Sequence, residues 1–300
     1  MYNEKTKAIF LESLPTEDMQ RMFISIFKRT EPYEAKQQKD VSMFDMKECM
    51  DLLVDLNPKS SGHIGSLLSQ FNKYAEWTIK GSDMSKNYWG LIPVDESYAT
   101  QSFASRYVKD LDELSNIVDI GLESPFDKYV VYLLFAGIMG EGFSELTQIK
   151  DTDVDLLGKT INTNRRRHSN IPEYLVKIAA SNDYYEERKP RDYASPYFVK
   201  PYKTKHLLGE PIAYQGVHRV FQKLNKNYNR ESGDAKEFTP TTIWRSGLFS
   251  SLHNLEQLKG DLVTDDFIHV SEVYGNKNSF SSYARDYELY KNIIVNSDRK

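Results

Sequence analysis

Three arginines and a histidine stand in a row at Arg165, Arg166, Arg167 and His168. Guanidinium groups at this density suit phosphate oxygens, which they hold through paired N–H donors, and in a groove they read guanine. A second basic set, Lys200, Lys203, Lys205 and His206, is interleaved with Tyr197 and Tyr202 and suits a loop that tracks a phosphate chain. A third, Arg219, Lys223 and Lys226, repeats at helical spacing and so shares one helix face. Each set also has a plainer reading: a solvated turn, a surface loop, a solvated helix face.

Other chemistry is harder to assemble. Cys49 is the single cysteine, which excludes a disulfide framework within the chain and a multi-cysteine zinc site. It sits in the helical run Met46–Leu53 and reads as a small core residue. His63, His206, His218, His253 and His269 share no metal-ligand spacing, so no metal and no cofactor is implied. Ser246 and Ser250 lack a general-base neighbour, and Glu186-Glu187 lies in a charged run.

The net charge of −4 speaks against a nucleic-acid partner until its distribution is read. Between Gly158 and Arg230 stand 15 Lys/Arg and 6 Asp/Glu, a net of +9, which leaves −13 for the rest. Segregation on this scale builds a basic surface on an acidic protein, and a phosphate backbone feels the local field. The stretch Met1 to Phe10 mixes charges early and does not read as a signal peptide. No run reaches the ~18 apolar residues of a membrane span, so a cytoplasmic protein without a membrane partner is expected.

These side chains need elements to position them. Residues 16 to 30 read as a helix capped by Thr16, with Met19, Met22, Phe23 and Phe27 as its stripe. A second helix follows Ser42, with Met46, Cys49, Leu52 and Leu53 on one side. In the third, Ser60 or Ser61 caps the repeat Ile64, Leu67, Leu68, Phe71, Ala75, which ends near Gly81. Gly, Pro, Ser and Asp then punctuate the chain to about Ser105, and the domain boundary falls there: 1–104 helical, 105–300 a second domain. Leu111, Leu114 and Ile117 mark a further helix, and Tyr129 to Met139 marks one apolar nearly all round. Short strands are expected at Asp153–Ile161, near Ile171 and at Pro196–Lys200. A helix over Ile212 to Leu224 buries Val217, Val220, Phe221 and Leu224. A last helical block from about Thr241 breaks near Gly260 and Gly275.

The stretch LLFAGIMGEGFSELTQIKDTDVDLLGKTI, Leu133 to Ile161, resembles a segment of the tyrosine recombinases (phage integrases). There an apolar helix and a Gly turn lead into Arg-apolar-Ser-Glu-Leu, then Asp-apolar-Asp and a strand. Phe143-Ser144-Glu145-Leu146 and Asp153-Val154-Asp155 carry the likeness. Asn57 to Trp77 is similar to the helical core-binding domain, Ile161 to Ser181 to the β-hairpin and the helix after it, and PIAYQGVHRVFQKLNKN to the next helix. Thr239 to Leu252 is similar to the His-x-x-Arg box, and Tyr274 to Tyr287 to Leu-Gly-His…Tyr. The likeness spans roughly residues 57 to 290 in the right order. It implies a mainly α fold with a small β-sheet: a helical core-binding domain, then a domain of the recombinase catalytic fold.

The resemblance also implies a catalytic set, and this chain departs from it. Family chemistry surrounds the scissile phosphate with two arginines, a His or similar donor and a Lys, and a Tyr attacks to form a phosphotyrosine. Gly142 stands at the first arginine position, beside Glu141. Arg245 matches the second arginine and implies a phosphate contact, but Thr242 replaces the His of that box and Asn276 the His of the next. Tyr287 or Tyr283 fills the nucleophile position; the spacing from Gly275 does not choose. Losing one transition-state cation costs ~10²- to 10³-fold, so no useful cleavage is expected. A recombinase fold that keeps its clamp and loses its chemistry is a sequence-specific binder of double-stranded DNA. The resemblance extends to the integrase-like repressors of large temperate phages, which would act in the bacterial cytoplasm and which take peptide or partner-protein inputs. Two other classes fit less well: a divergent active recombinase, and a protein–protein regulator that reuses the fold without DNA.

Overall fold

Helices begin where polar caps stand before apolar repeats. In the computed structural model, which describes residues 1–80, 86–169, 171–180, 190–203, 209–275 and 280–296, the chain forms two compact units, Met1–Phe103 and Ala104–Lys300.

The first unit holds helices α1 (Glu4–Glu12), α2 (Glu17–Gln37), α3 (Met46–Asp55) and α4 (Ser61–Lys80); α5 (Thr100–Ala104) ends it. The Thr16 side chain accepts the Met19 N–H at the start of α2, and Ser60 accepts the His63 N–H at the start of α4. The core is aromatic. Phe10, Phe23, Phe27 and Tyr74 meet edge to face, with centroids 4.8 to 4.9 Å apart for Phe10–Phe23, Phe10–Tyr74 and Phe27–Tyr74. Two features depart from the sequence pattern. Helix α1 carries a weak stripe and is held by an ion pair: the fully buried Lys7 donates to both oxygens of Glu34, at 2.6 and 2.5 Å. Helix α2 runs on through Pro32, because its last turn is anchored at Glu34, which also accepts from Thr30 and from the Val41 N–H.

The second unit comprises α6 (Leu111–Gly121), α7 (Pro125–Phe135), α8 (Ser144–Thr147), β1 (Val154–Asp155), β2 (Thr160–Asn162), β3 (Arg167–Ser169), α9 (Glu173–Ala180), α10 (Tyr214–Ser232), α11 (Pro240–Lys259), α12 (Thr264–Val273) and α13 (Phe280–Tyr290), then a π-helical turn, Lys291–Val295. Helix α7 is the axis, buried at every position from Tyr129 to Leu134, as its all-round apolar pattern requires. It packs on α11 and α9, and α6 packs on α10. The three strands form an antiparallel sheet in the order β1-β2-β3, with Ile161 opposite Val154 on one side and His168 on the other. The expected strand Asp153–Ile161 is two strands split by a turn in which Lys159 has φ 50°. Ile171 lies past the end of β3, and Pro196–Lys200 contributes only a bridge from Tyr197 to Lys150. That segment is irregular because its burial is local: Phe198 and Val199 enter the core while Lys200 turns inward to an acid. Helix α10 outlasts the expected end at Leu224 and stops at Gly233 in the left-handed conformation.

Candidate nucleic-acid interface

The turn between β2 and β3 carries the arginine run. Thr163 organises it: its hydroxyl accepts the Arg166 N–H at 3.1 Å and donates to Glu145 at 2.7 Å, and its own N–H meets the Arg166 carbonyl at 2.8 Å. The arginines then alternate. Arg165 and Arg167 are exposed, with no acidic partner among the described residues, whereas Arg166 turns inward. Its Nε and Nη2 donate to the two oxygens of Glu145 at 2.9 and 3.1 Å. Nη2 also reaches the Gly137 carbonyl at 2.9 Å, and Nη1 donates to the carbonyls of Glu272, at 3.0 Å, and Val273. His168 completes the cluster with Nε2 3.2 Å from Glu145. Burial alone would raise the Glu145 carboxyl; hydrogen bonds from His168, Arg166 and Thr163 outweigh it and hold the group at about 2.

Behind the hairpin lies a cavity of about 1000 Å³, lined by Gly140, Glu141, Glu145, Arg165, Arg166, Thr241, Trp244, Arg245, Glu272, Tyr274 and Tyr283 among others. Of the positions at which the recombinase resemblance implies chemistry, it holds Arg245 and Tyr283. Gly142, next to the lining residue Glu141, has φ 58° and adjoins Phe143 at φ 66°, so an arginine at 142 would have space but a backbone that side chains avoid. Arg245 faces the cavity and is held: Nη1 donates to Asp286 at 3.2 Å, and its guanidinium lies 5.6 Å from the centre of the Tyr283 ring. Thr242 does not face a phosphate. Its hydroxyl accepts the Thr239 N–H at 2.9 Å, and the Thr239 hydroxyl accepts the Thr242 N–H at 3.1 Å, in a capping box at the start of α11.

The two tyrosines separate. Tyr283 lines the cavity. Tyr287 is fully buried against Phe249, Phe267 and Tyr290 and donates its hydroxyl to Glu256 at 2.7 Å. Burial and Glu256 push this phenol well above its ordinary value, the opposite of what a nucleophile needs.

The remaining basic residues divide in the same way. Lys200 is buried and donates to Asp151 at 2.5 Å and to the Ser195 carbonyl at 2.9 Å, so it is not the phosphate-tracking group its setting between tyrosines suggests. Lys223 is half-exposed, 3.3 Å from Asp127. That acid also takes the buried Arg191 at 2.7 Å, a pair without a local sequence signal, since the partners stand 64 residues apart. Lys203, Arg219 and Lys226 are exposed, with no acidic partner among the described residues. Lys205, His206, Asn276 and the pair Glu186-Glu187 lie outside the described residues. Part of the net +9 is therefore internal, and of the basic residues singled out above, the described ones that are exposed without an acidic partner are Arg165, Arg167, Lys203, Arg219 and Lys226.

A helical domain followed by a helical domain with a three-stranded hairpin sheet is the two-part architecture, core-binding then catalytic, that the tyrosine-recombinase resemblance implies. The chain belongs to the MrpR family: the MrpR N-terminal core-binding domain matches residues 1–80 and the MrpR C-terminal catalytic domain residues 111–299. It is 24% identical to the SPbeta prophage-derived uncharacterized protein YopR of Bacillus subtilis (strain 168), over 97% of this chain and 96% of that one. Among solved structures it is similar to the Tn1549 transposon integrase in complex with circular intermediate DNA, at 14% identity, 94% coverage of each chain and a TM-score of 0.40. It is also similar to that integrase with transposon right end DNA, at 13% identity, 98% and 96% coverage and a TM-score of 0.38. No described helix is long and apolar enough to cross a membrane.

Proposed function

We propose that this protein is a sequence-specific binder of double-stranded DNA without recombinase activity, a repressor of the kind that maintains phage lysogeny. One observation carries the reading: the pocket that would need several cations is lined by carboxylates and leaves one arginine, Arg165, without an acidic partner, while further unpaired cations stand outside it. Glu141, Glu145 and Glu272 line the cavity, Gly142 brings no guanidinium, and Arg166 and Arg245 are both paired with acids. A phosphorane gains its stabilisation from unpaired donors aimed at it, and this pocket offers few. Arg165 at the cavity's exposed edge, and Arg167, Lys203, Arg219 and Lys226 outside it, keep free charge for phosphates. The prophage origin of the relative agrees with a phage setting.

The test is retention of fragments of the source genome by the purified chain over a series of salt concentrations. Discrete fragments should be retained, with a slope of log affinity against log salt near −4 to −5 if each of the five cations neutralises about one phosphate. No retention at any salt would instead make the chain a protein-binding regulator. A second reading, a divergent active recombinase, has one observation in its favour: Tyr283 lines the pocket beside Arg245. It predicts a covalent protein–DNA adduct.

A further inference from the structure

Arg166 stands between two outward-facing arginines yet has no donor left for DNA. A guanidinium carries five N–H groups. Here five hydrogen bonds leave it, two to Glu145 and one each to the carbonyls of Gly137, Glu272 and Val273. These acceptors belong to three separate stretches of the chain: the turn after α7, the start of α8 and the end of α12. The hairpin is fastened to all three through this one side chain. Glu145 repeats the pattern from the other side, since it accepts from Thr163, Arg166 and His168, three residues of the same hairpin. Even the neighbouring glycine fits the arrangement: a Cβ on Gly275 would stand 2.7 Å from Nη2 of Arg166.

Resting on the DNA-binding reading, we infer that Arg166 is a positioning residue, which fastens the β2–β3 hairpin to the pocket so that Arg165 and Arg167 are presented together to the phosphodiester backbone of a duplex. Arg167 opens β3 exposed, on the face opposite the buried His168, and Arg165 stands exposed in the turn at the edge of the cavity. The pocket of the recombinase fold then acts as the anchor of a DNA-contacting hairpin. Lysine cannot replace Arg166, because three donors on a point charge do not reproduce a planar five-donor fork.

The experiment uses the full chain and a mixed-sequence duplex oligonucleotide, with affinity measured across salt below the unfolding temperature of each variant. Arg166→Lys keeps the charge and should still weaken binding about tenfold or more and flatten the salt slope by about two, one unit for each flanking arginine, although Arg166 itself touches no phosphate. Arg165→Ala with Arg167→Ala should flatten the slope by the same amount. Adding Arg166→Lys to that pair should then change binding no further, which a general loss of fold would not produce. Glu145→Gln, weakening the fastening from the other side, should move the slope in the same direction. If the native chain binds and Arg166→Lys keeps native affinity and slope, or if its loss adds in full to that of the flanking pair, the inference fails while DNA binding stands. If the native chain does not hold the duplex, the DNA-binding reading itself fails and takes the inference with it.

Discussion

Neighbouring residues of one type do different things in this protein, and their partners decide which. Arg165 and Arg167 are free while Arg166 is saturated, and Tyr283 faces the cavity while Tyr287 is buried against Glu256. Glu145 is the residue on which the hairpin depends. Burial opposes its charge, but three donors from the hairpin pull its carboxyl down to about 2 from an ordinary 4.5. A carboxyl whose folded value is depressed contributes stability above its unfolded value and loses it as pH falls through the folded one. Glu145 should therefore contribute on the order of 3 kcal/mol at neutral pH, diminishing below about 4.5 and vanishing near 2. Denaturant unfolding of the native chain and of Glu145→Gln across that range should show the gap between them narrowing as pH falls. A gap that stays constant would mean that the carboxylate charge does not hold the hairpin.

At the scale of elements, the helices were legible and the short contacts between them were not. Caps such as Thr16 and apolar repeats such as Ile64, Leu67, Leu68 and Phe71 are local signals, and α2 and α4 formed where they stand. The strands are two or three residues long, too short for alternation to register, and the segment expected at Pro196–Lys200 is shaped by Lys200 reaching Asp151, 49 residues away. The inward turn of Arg166 was equally hidden, because its acceptors lie 21 to 107 residues from it in sequence. Helix α1 carries little local signal for the same reason, since Lys7 and Glu34 pair across 27 residues. That pair yields a stability prediction. Lys7→Met leaves Glu34 as a buried carboxylate without its cation and should cost roughly 3–5 kcal/mol, whereas Lys7→Met with Glu34→Leu should recover much of the loss. Thermal unfolding of the two variants checks this; a single variant as stable as the native chain would show that water reaches Glu34.

At the scale of the molecule, the same fold that would bring cations to a scissile phosphate here brings carboxylates and a hairpin anchor. The charge asymmetry read from the sequence survives in reduced form, because Arg166, Arg191 and Lys200 are absorbed by internal acids and a smaller outward set remains. On the proposed function, such a surface would hold DNA through its backbone and leave strand chemistry undone. The most direct measurement incubates the purified chain with a retained genomic fragment carrying a nick, then denatures the complex and looks for protein bound covalently to DNA. The account predicts full release of intact DNA under conditions where the native complex was saturated. A covalent adduct, lost on Tyr283→Phe, would contradict it and make this chain a working recombinase.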